Sequence, residues 1–201
     1  MSSSGRPARG RPRSFDKDRA LDVALRAFWE RGFEATPVAA LAQEMGIGVP
    51  SLYAAFGDKR ALFTKVVTTY GRTYGAFALR ALEEEATARA GVARMLREAA
   101  GEYTAPGRPH GCLLISAATN CTPGSADVEQ LLRGIRRANQ AVIERRIAAD
   151  VDAGALPPGT DPATLARLTG TVLQGMSQQA RDGASRADLE AVVELVLRAW
   201  P

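Results

Sequence analysis

Apolar residues return at spacings of three and four along almost the whole chain, and clusters of Gly and Pro cut that pattern into separate lengths. The first length places Leu21, Leu25 and Phe28 on one face, widened by Ala20, Ala24, Ala27 and Trp29. Asp16 stands where a capping side chain belongs and Gly32 where a helix should end. Further helices are predicted over 37–45, 49–55, 59–82, 84–103, 109–120, 125–153, 161–181 and 186–199. The later breakers are Pro106-Gly107, Thr122-Pro123-Gly124, Pro157-Pro158-Gly159 and Asp182-Gly183. No segment alternates with a period of two between hairpin turns, and no repeat of fixed period is present. The pattern specifies an all-α chain.

Residues 36–59 are the densest in signals. Thr36-Pro37 reads as a helix start, a capping hydroxyl followed by proline at the first helical position. Val38, Leu41, Ala42 and Met45 form one apolar face, Gly46-Ile47-Gly48 makes a turn, and Val49 to Ala55 form a second short helix with Leu52 and Phe56 inward. Pro50 is tolerated there because an N–H in the first turn has no helical partner to lose. Two short helices joined by a glycine turn make a helix-turn-helix candidate, the first crossing the DNA backbone and the second lying in the major groove.

Charge points the same way. Residues 1–72 carry 12 Lys/Arg against 7 Asp/Glu, while 73–201 carry 14 against 15. A basic N-terminal third suits a polyanion met by one end of the molecule. The 201 residues allow one or two domains and a core that needs no staples. No apolar run is long enough to span a bilayer, the first 20 residues lack a secretory h-region, and two cysteines fit a reducing cytosol. A cytoplasmic protein without a membrane partner is expected.

The run Ala27-Phe28, Gly32-Phe33, Thr36, Leu41-Ala42, Gly46-Ile47, Ser51-Leu52-Tyr53, Phe56, Asp58-Lys59 and Leu62-Phe63 resembles the N-terminal domain of the TetR family of bacterial transcription regulators. Gly111-Cys112-Leu113-Leu114 and Gln174-Gly175 with Ala180-Arg181-Asp182-Gly183 are similar to a branch of that family. The resemblance implies an all-α homodimer. A three-helix DNA-binding domain with a helix-turn-helix would span 15–60 and a helical ligand-binding and dimerisation domain 61–201, after a disordered basic arm at 1–14. Carried over by position, Thr36, Tyr53 and Lys59 would contact phosphates, and Gly48, Val49, Pro50 and Ala54 would reach base edges. Ala39 and Gln43 would line the same groove. This chain departs from the family where many members carry Lys, Thr or His, having Val49, Pro50, Ala54 and Ala55 instead. None of these can make a bidentate bond to guanine or adenine, so direct readout should be weak or biased to thymine methyls, with Gln43 the amide available for adenine.

The arm offers a substitute. Arg9-Gly10-Arg11-Pro12 resembles the core of an AT-hook, and Arg13 follows it. Narrow A·T minor grooves attract inserted arginine, glycine permits close backbone approach, and proline keeps the strand extended. Deleting 1–13 is expected to weaken operator binding and relax a preference for A·T flanks.

In the C-terminal part, Leu165, Leu168, Val172, Leu173 and Met176 share one side of 161–181, and Leu189, Val192, Val193 and Val196 recur in 186–199. Both stripes suit pairing with a second copy. Tyr70, Tyr74, Phe77, Met95, Tyr103, His110, Cys112, Ile115 and Asn120 belong to segments that would enclose a pocket for an uncharged or aromatic small molecule. Arg108 and His110 could lower the pKa of Cys112 and make a thiol sensor, although a buried inert cysteine is the simpler reading. A continuous helix over 112–121 would hold Cys112 and Cys121 too far apart for a disulfide. The spacing of His110, Cys112 and Cys121 matches no standard zinc site, and no cofactor motif or catalytic triad is present. The expected function is a ligand-responsive regulator, a repressor that binds a palindromic operator as a homodimer and is released by a small-molecule effector. The alternatives are an architectural A·T binder and a redox or electrophile sensor acting through Cys112.

Overall fold

The computed structural model describes residues 16–201, so Arg9, Arg11, Arg13 and the arm they belong to lie outside the described residues. Every regular element among the described residues is helical. α1 (Lys17–Arg31) starts on Asp16, whose carboxylate accepts from the amides of Asp18 and Arg19, and stops at Gly32, where φ is +80°. α2 (Val38–Glu44) and α3 (Val49–Phe56) are joined by a turn in which the Gly46 amide bonds the Gln43 carbonyl and the Ile47 amide that of Ala42. α4 (Lys59–Arg72) begins on Asp58, which accepts from the Ala61 amide at 2.8 Å.

The single helix predicted over 59–82 is two. α4 ends at Arg72, and α5 (Phe77–Glu84) starts after a turn. In that turn the Gly75 amide bonds the Tyr70 carbonyl at 2.8 Å, and a Cβ at Gly75 would stand 3.1 Å from the Tyr70 ring. The chain folds back over a buried tyrosine, at a glycine that permits the approach. The next helix starts later than expected, as α6 (Ala88–Tyr103), because Thr87 caps it through the Ala90 amide. The helix predicted over 109–120 shrinks to one turn, α7 (Leu113–Ser116). Gly111 stands before it at φ +76°, with its amide bonded to the Tyr103 carbonyl. The continuous helix that was expected to separate Cys112 from Cys121 is therefore absent; both cysteines are free thiols.

A 3₁₀ turn at Pro123–Ser125 leads into α8 (Ala126–Asp152), followed by α9 (Pro162–Arg181) and α10 (Arg186–Arg198). α6 is central to the C-terminal part and packs on α5, α8, α9 and α10. Its N-terminus is capped from a distance. The buried Asp150 of α8 accepts from the Ala88 amide at 2.6 Å and from Arg146 at 2.7 Å. Both carboxylate oxygens are thus satisfied away from solvent, as a buried charge requires. α1 lies along α4 through edge-on ring contacts, Phe28 on Phe63 at 5.1 Å and Trp29 on Tyr70 at 4.9 Å.

Candidate nucleic-acid interface and effector cavity

α3 is anchored by one face and open on the other. Leu52 and Phe56 are buried, whereas Gly48, Pro50, Ser51, Tyr53 and Ala54 face outward, Tyr53 at 47% exposure. Val49 is half-buried against the core, so its methyls reach the surface only in part. Ala39 and Gln43 on α2 are exposed beside this face. Ser51 was not singled out from the sequence, yet its exposed hydroxyl can bond a base edge or a phosphate.

Thr36 is a correction. It is fully buried, and its hydroxyl donates to the Gly32 carbonyl at 2.6 Å. The N-cap of α2 is Pro37, without a side-chain cap bond. The buried threonine hydroxyl gives its one proton to the α1–α2 link, which leaves none for a phosphate, and it caps no α2 amide. Lys59 is half-buried, with its ammonium 4.2 Å above the Phe33 ring. Burial pushes its pKa down, against the attraction of Glu34. Glu34 itself is held below the usual carboxylate range by hydrogen bonds from Ser125 and Thr122.

Behind this surface, a cavity of about 260 Å³ opens between α4, α5, α6, α8 and α9. Tyr70, Phe77, Tyr103, Cys112 and Ile115 line it, as does Met95. The other three expected lining residues do not. Tyr74 lies tilted against Trp29, 5.2 Å between ring centroids, with the Arg108 guanidinium 5.0 Å over its ring. His110 is exposed, its Nδ1 lying 3.2 Å from the Ala180 carbonyl. Asn120 is exposed as well. The shortening of the 109–120 helix to one turn explains the last two, since it no longer carries them round to the interior. Arg133, Arg136 and Arg137 of α8 join the lining, which sequence reasoning did not anticipate.

The Cys112 thiol is buried, and burial pushes its pKa up, against hydrogen bonds from the Tyr70 and Tyr103 hydroxyls. Arg108 does not activate it. The Arg108 guanidinium is paired with Glu102 and donates to that residue's carbonyl. The same burial pushes both tyrosine hydroxyls well above their ordinary range.

The two apolar stripes divide. Met176, Leu189 and Val193 are buried within the subunit, which removes them from any dimer face. Leu173 is half-buried and lines the cavity. Leu165, Val172 and Val196 are half-buried, while Leu168 and Val192 are exposed at 37% and 45%. Leu195, overlooked in the sequence, is at 60% the most exposed large apolar side chain among the described residues. Helical period explains the split, because neighbours such as Val192 and Val193 point about 100° apart.

The segment that carries the lining residues Cys112, Leu114 and Ile115 is bonded at both its ends to the end of α1. The Trp29 indole N–H donates to the Gly111 carbonyl at 3.2 Å, and the Phe33 amide to the Ala117 carbonyl at 2.8 Å. Arg181 of α9 donates to the carbonyls of Trp29 and Glu30 at the end of α1. Arg60 at the start of α4 pairs with Asp127 at 2.8 Å.

Comparison with known proteins fits this geometry. Residues 20–66 match the family described as bacterial regulatory proteins, tetR family, and residues 91–196 match the tetracyclin repressor-like C-terminal domain. The chain is similar to the HTH-type transcriptional repressor ComR of Escherichia coli (strain K12), 33% identical over 96% of this chain and 93% of that one. It is also similar to the HTH-type transcriptional repressor BdcR of the same strain, 30% identical over 92% and 89%. Among solved structures, it is similar to a cysteine mutant of the TetR family transcriptional regulator CifR complexed with 26-bp double-strand operator DNA. That likeness has 42% identity and a TM-score of 0.90, and covers 96% of this chain and 100% of the other.

Proposed function

The chain belongs to the tetR family of bacterial regulatory proteins, and from that premise we propose that it is a cytoplasmic, homodimeric repressor released from DNA by a small-molecule effector. One observation carries the coupling of effector to DNA. The segment 111–117, which lends Cys112, Leu114 and Ile115 to the cavity lining, holds the end of α1 through bonds from Trp29 to the Gly111 carbonyl and from Phe33 to the Ala117 carbonyl, and α1 is the helix on which the helix-turn-helix rests. A ligand that spreads the Tyr103–Cys112 wall shifts those two carbonyls and with them the domain. It works only to the extent that it binds the DNA-free arrangement more tightly.

α3 enters the major groove with Pro50, Ser51, Tyr53 and Ala54 foremost. Tyr53 and Lys59 hold phosphates, and Gln43 lies beside them. Arg9, Arg11 and Arg13 take the adjacent A·T minor groove. Direct base readout from α3 is sparse, so groove shape read by the arm supplies part of the specificity. Leu168, Val192 and Leu195, flanked by Val172 and Val196, form the face that meets a second copy. Paired subunits place two α3 helices about 34–36 Å apart, or a multiple of it, on a palindrome. The names of the ComR and BdcR relatives support repression as the sign of regulation.

The test is a gel shift and footprint with DNA from upstream of the protein's own gene at several salt concentrations. A bounded palindromic footprint is expected, weakened by Tyr53→Phe. Diffuse A·T coverage would favour the architectural binder, and no selective retardation would end the regulator reading.

A further inference from the structure

Among the described residues, three arginines line the cavity and no Asp or Glu does. Arg133, Arg136 and Arg137 stand three and four residues apart on α8, on one helical face with Gln140. Arg133 is paired with Glu129, one turn earlier. Arg136 forms no ion pair among the described residues; its one hydrogen bond runs to the Leu114 carbonyl at 2.7 Å. That leaves most of a five-donor guanidinium unspent in a partly buried position. Arg137 has no ion pair there either. A guanidinium stays protonated under these conditions, so a half-buried cation is left without a carboxylate paired to it. The lining from α5 and α6, with Phe77, Leu82 and Met95, is apolar, as is Ile143 farther along α8.

We propose that the cavity takes an amphipathic monoanion, its apolar body against Phe77, Leu82, Met95 and Ile143 and its carboxylate, or a comparable anionic head, on Arg136 and Arg137. This rests on the reading of the cavity as the effector site and replaces the uncharged ligand expected from the sequence. The chemistry is that of a planar, two-toothed donor meeting a planar acceptor of opposite charge. A neutral ligand of the same shape leaves the Arg136 charge uncompensated and shuts it off from solvent. A cation meets like charge. The volume is near the lower end of ligand pockets, ~300 Å³, which favours a short acyl or arylalkyl body over a nucleotide.

Calorimetric titration of the full chain with straight-chain carboxylates from hexanoate to dodecanoate and with 4-phenylbutyrate, each against its matched alcohol and amine, tests the proposal. At least one carboxylate is expected to bind saturably and about tenfold or more tighter than its alcohol, the size of a charge-assisted hydrogen bond. Arg136→Met and, separately, the more exposed Arg137→Met should erase that ratio while leaving the alcohol's affinity in place; Arg136→Lys should keep part of it. Alcohols binding as tightly as carboxylates, a ratio unchanged in both Met variants, or no binding across the series would each overturn it. The gel shift is run in parallel. Operator release by the alcohols alone would sink the anion and keep the regulator. Selective carboxylate binding without any operator binding would do the reverse.

Discussion

Gly111 joins the cavity to the DNA-binding domain, and the substitution Gly111→Ala measures how tightly. Two penalties add. The residue sits at φ +76°, where an L side chain costs ~1–2 kcal/mol. Its new Cβ would also lie 2.7 Å from the Ser177 carbonyl oxygen and 2.9 Å from the Ser177 hydroxyl. The carbonyl is α9 backbone and cannot swing aside, so crowding adds ~1–3 kcal/mol. Gly107→Ala is the control, because φ there is +77° and nothing stands within 4 Å of its Cβ. It carries the backbone penalty alone. The difference of roughly 2 kcal/mol corresponds to a melting temperature lower by about 6 °C for Gly111→Ala, at ~2–4 °C per kcal/mol in a chain of this length. Differential scanning calorimetry at one fixed protein concentration reads it, since association shifts the melting point. Equal melting temperatures for the two variants would refute the claim that α9 closes on this turn. The same strain bears on the Trp29–Gly111 bond, so operator affinity should fall in Gly111→Ala and hold in Gly107→Ala.

Other outcomes follow from charge and exposure. Asp161 and Asp188 are held below their ordinary value of 3.8, first by hydrogen bonds from the Thr164 and Ser185 hydroxyls respectively. Their contribution to stability is complete above that value and lost as pH falls through the lower folded ones. Asp161→Asn with Asp188→Asn should therefore flatten the loss of stability below about pH 4; an unchanged acid slope in urea unfolding would contradict it. A thiol reagent at neutral pH should modify half-buried Cys121 well before buried Cys112, so Cys121→Ser removes the faster phase; a fast phase lost instead in Cys112→Ser would restore the sensor reading. Leu195→Glu should convert the dimer to a monomer in size-exclusion chromatography with far-UV circular dichroism unchanged, and a wild-type monomer would remove the dimer proposal.

Much of this protein was written locally. The caps at Asp16 and Asp58, the glycine stop at Gly32, and the apolar period behind Leu52 and Phe56 are short-range signals, and the structure uses each of them. So is the glycine turn between α2 and α3, which is why the helix-turn-helix was legible. Short-range reading failed where another group competed for the same atoms, one turn away at Thr36 and far along the chain at Gly111. Thr36 has the chemistry of a helix cap, but the Gly32 carbonyl took its hydroxyl. The 109–120 segment has helical periodicity, but Trp29, Ser177 and Tyr103 pin the backbone at Gly111 and Cys112 before a helix can form. The apolar stripes of α9 and α10 revealed that both faces are needed, without saying which neighbour each would meet. Packing assigned Val193 to the subunit's own core and left Leu195 outside. The arginines of α8 read as a solvated helix face, because charge on a helix usually is. Only the arrival of α4, α5 and α6 against that face turned Arg136 into the wall of a cavity. Sequence determined the helices, since their caps and periods lie within a few residues of one another. The cavity and its charge depended on residues far apart in the chain, Tyr70 and Arg136, being brought to line one space.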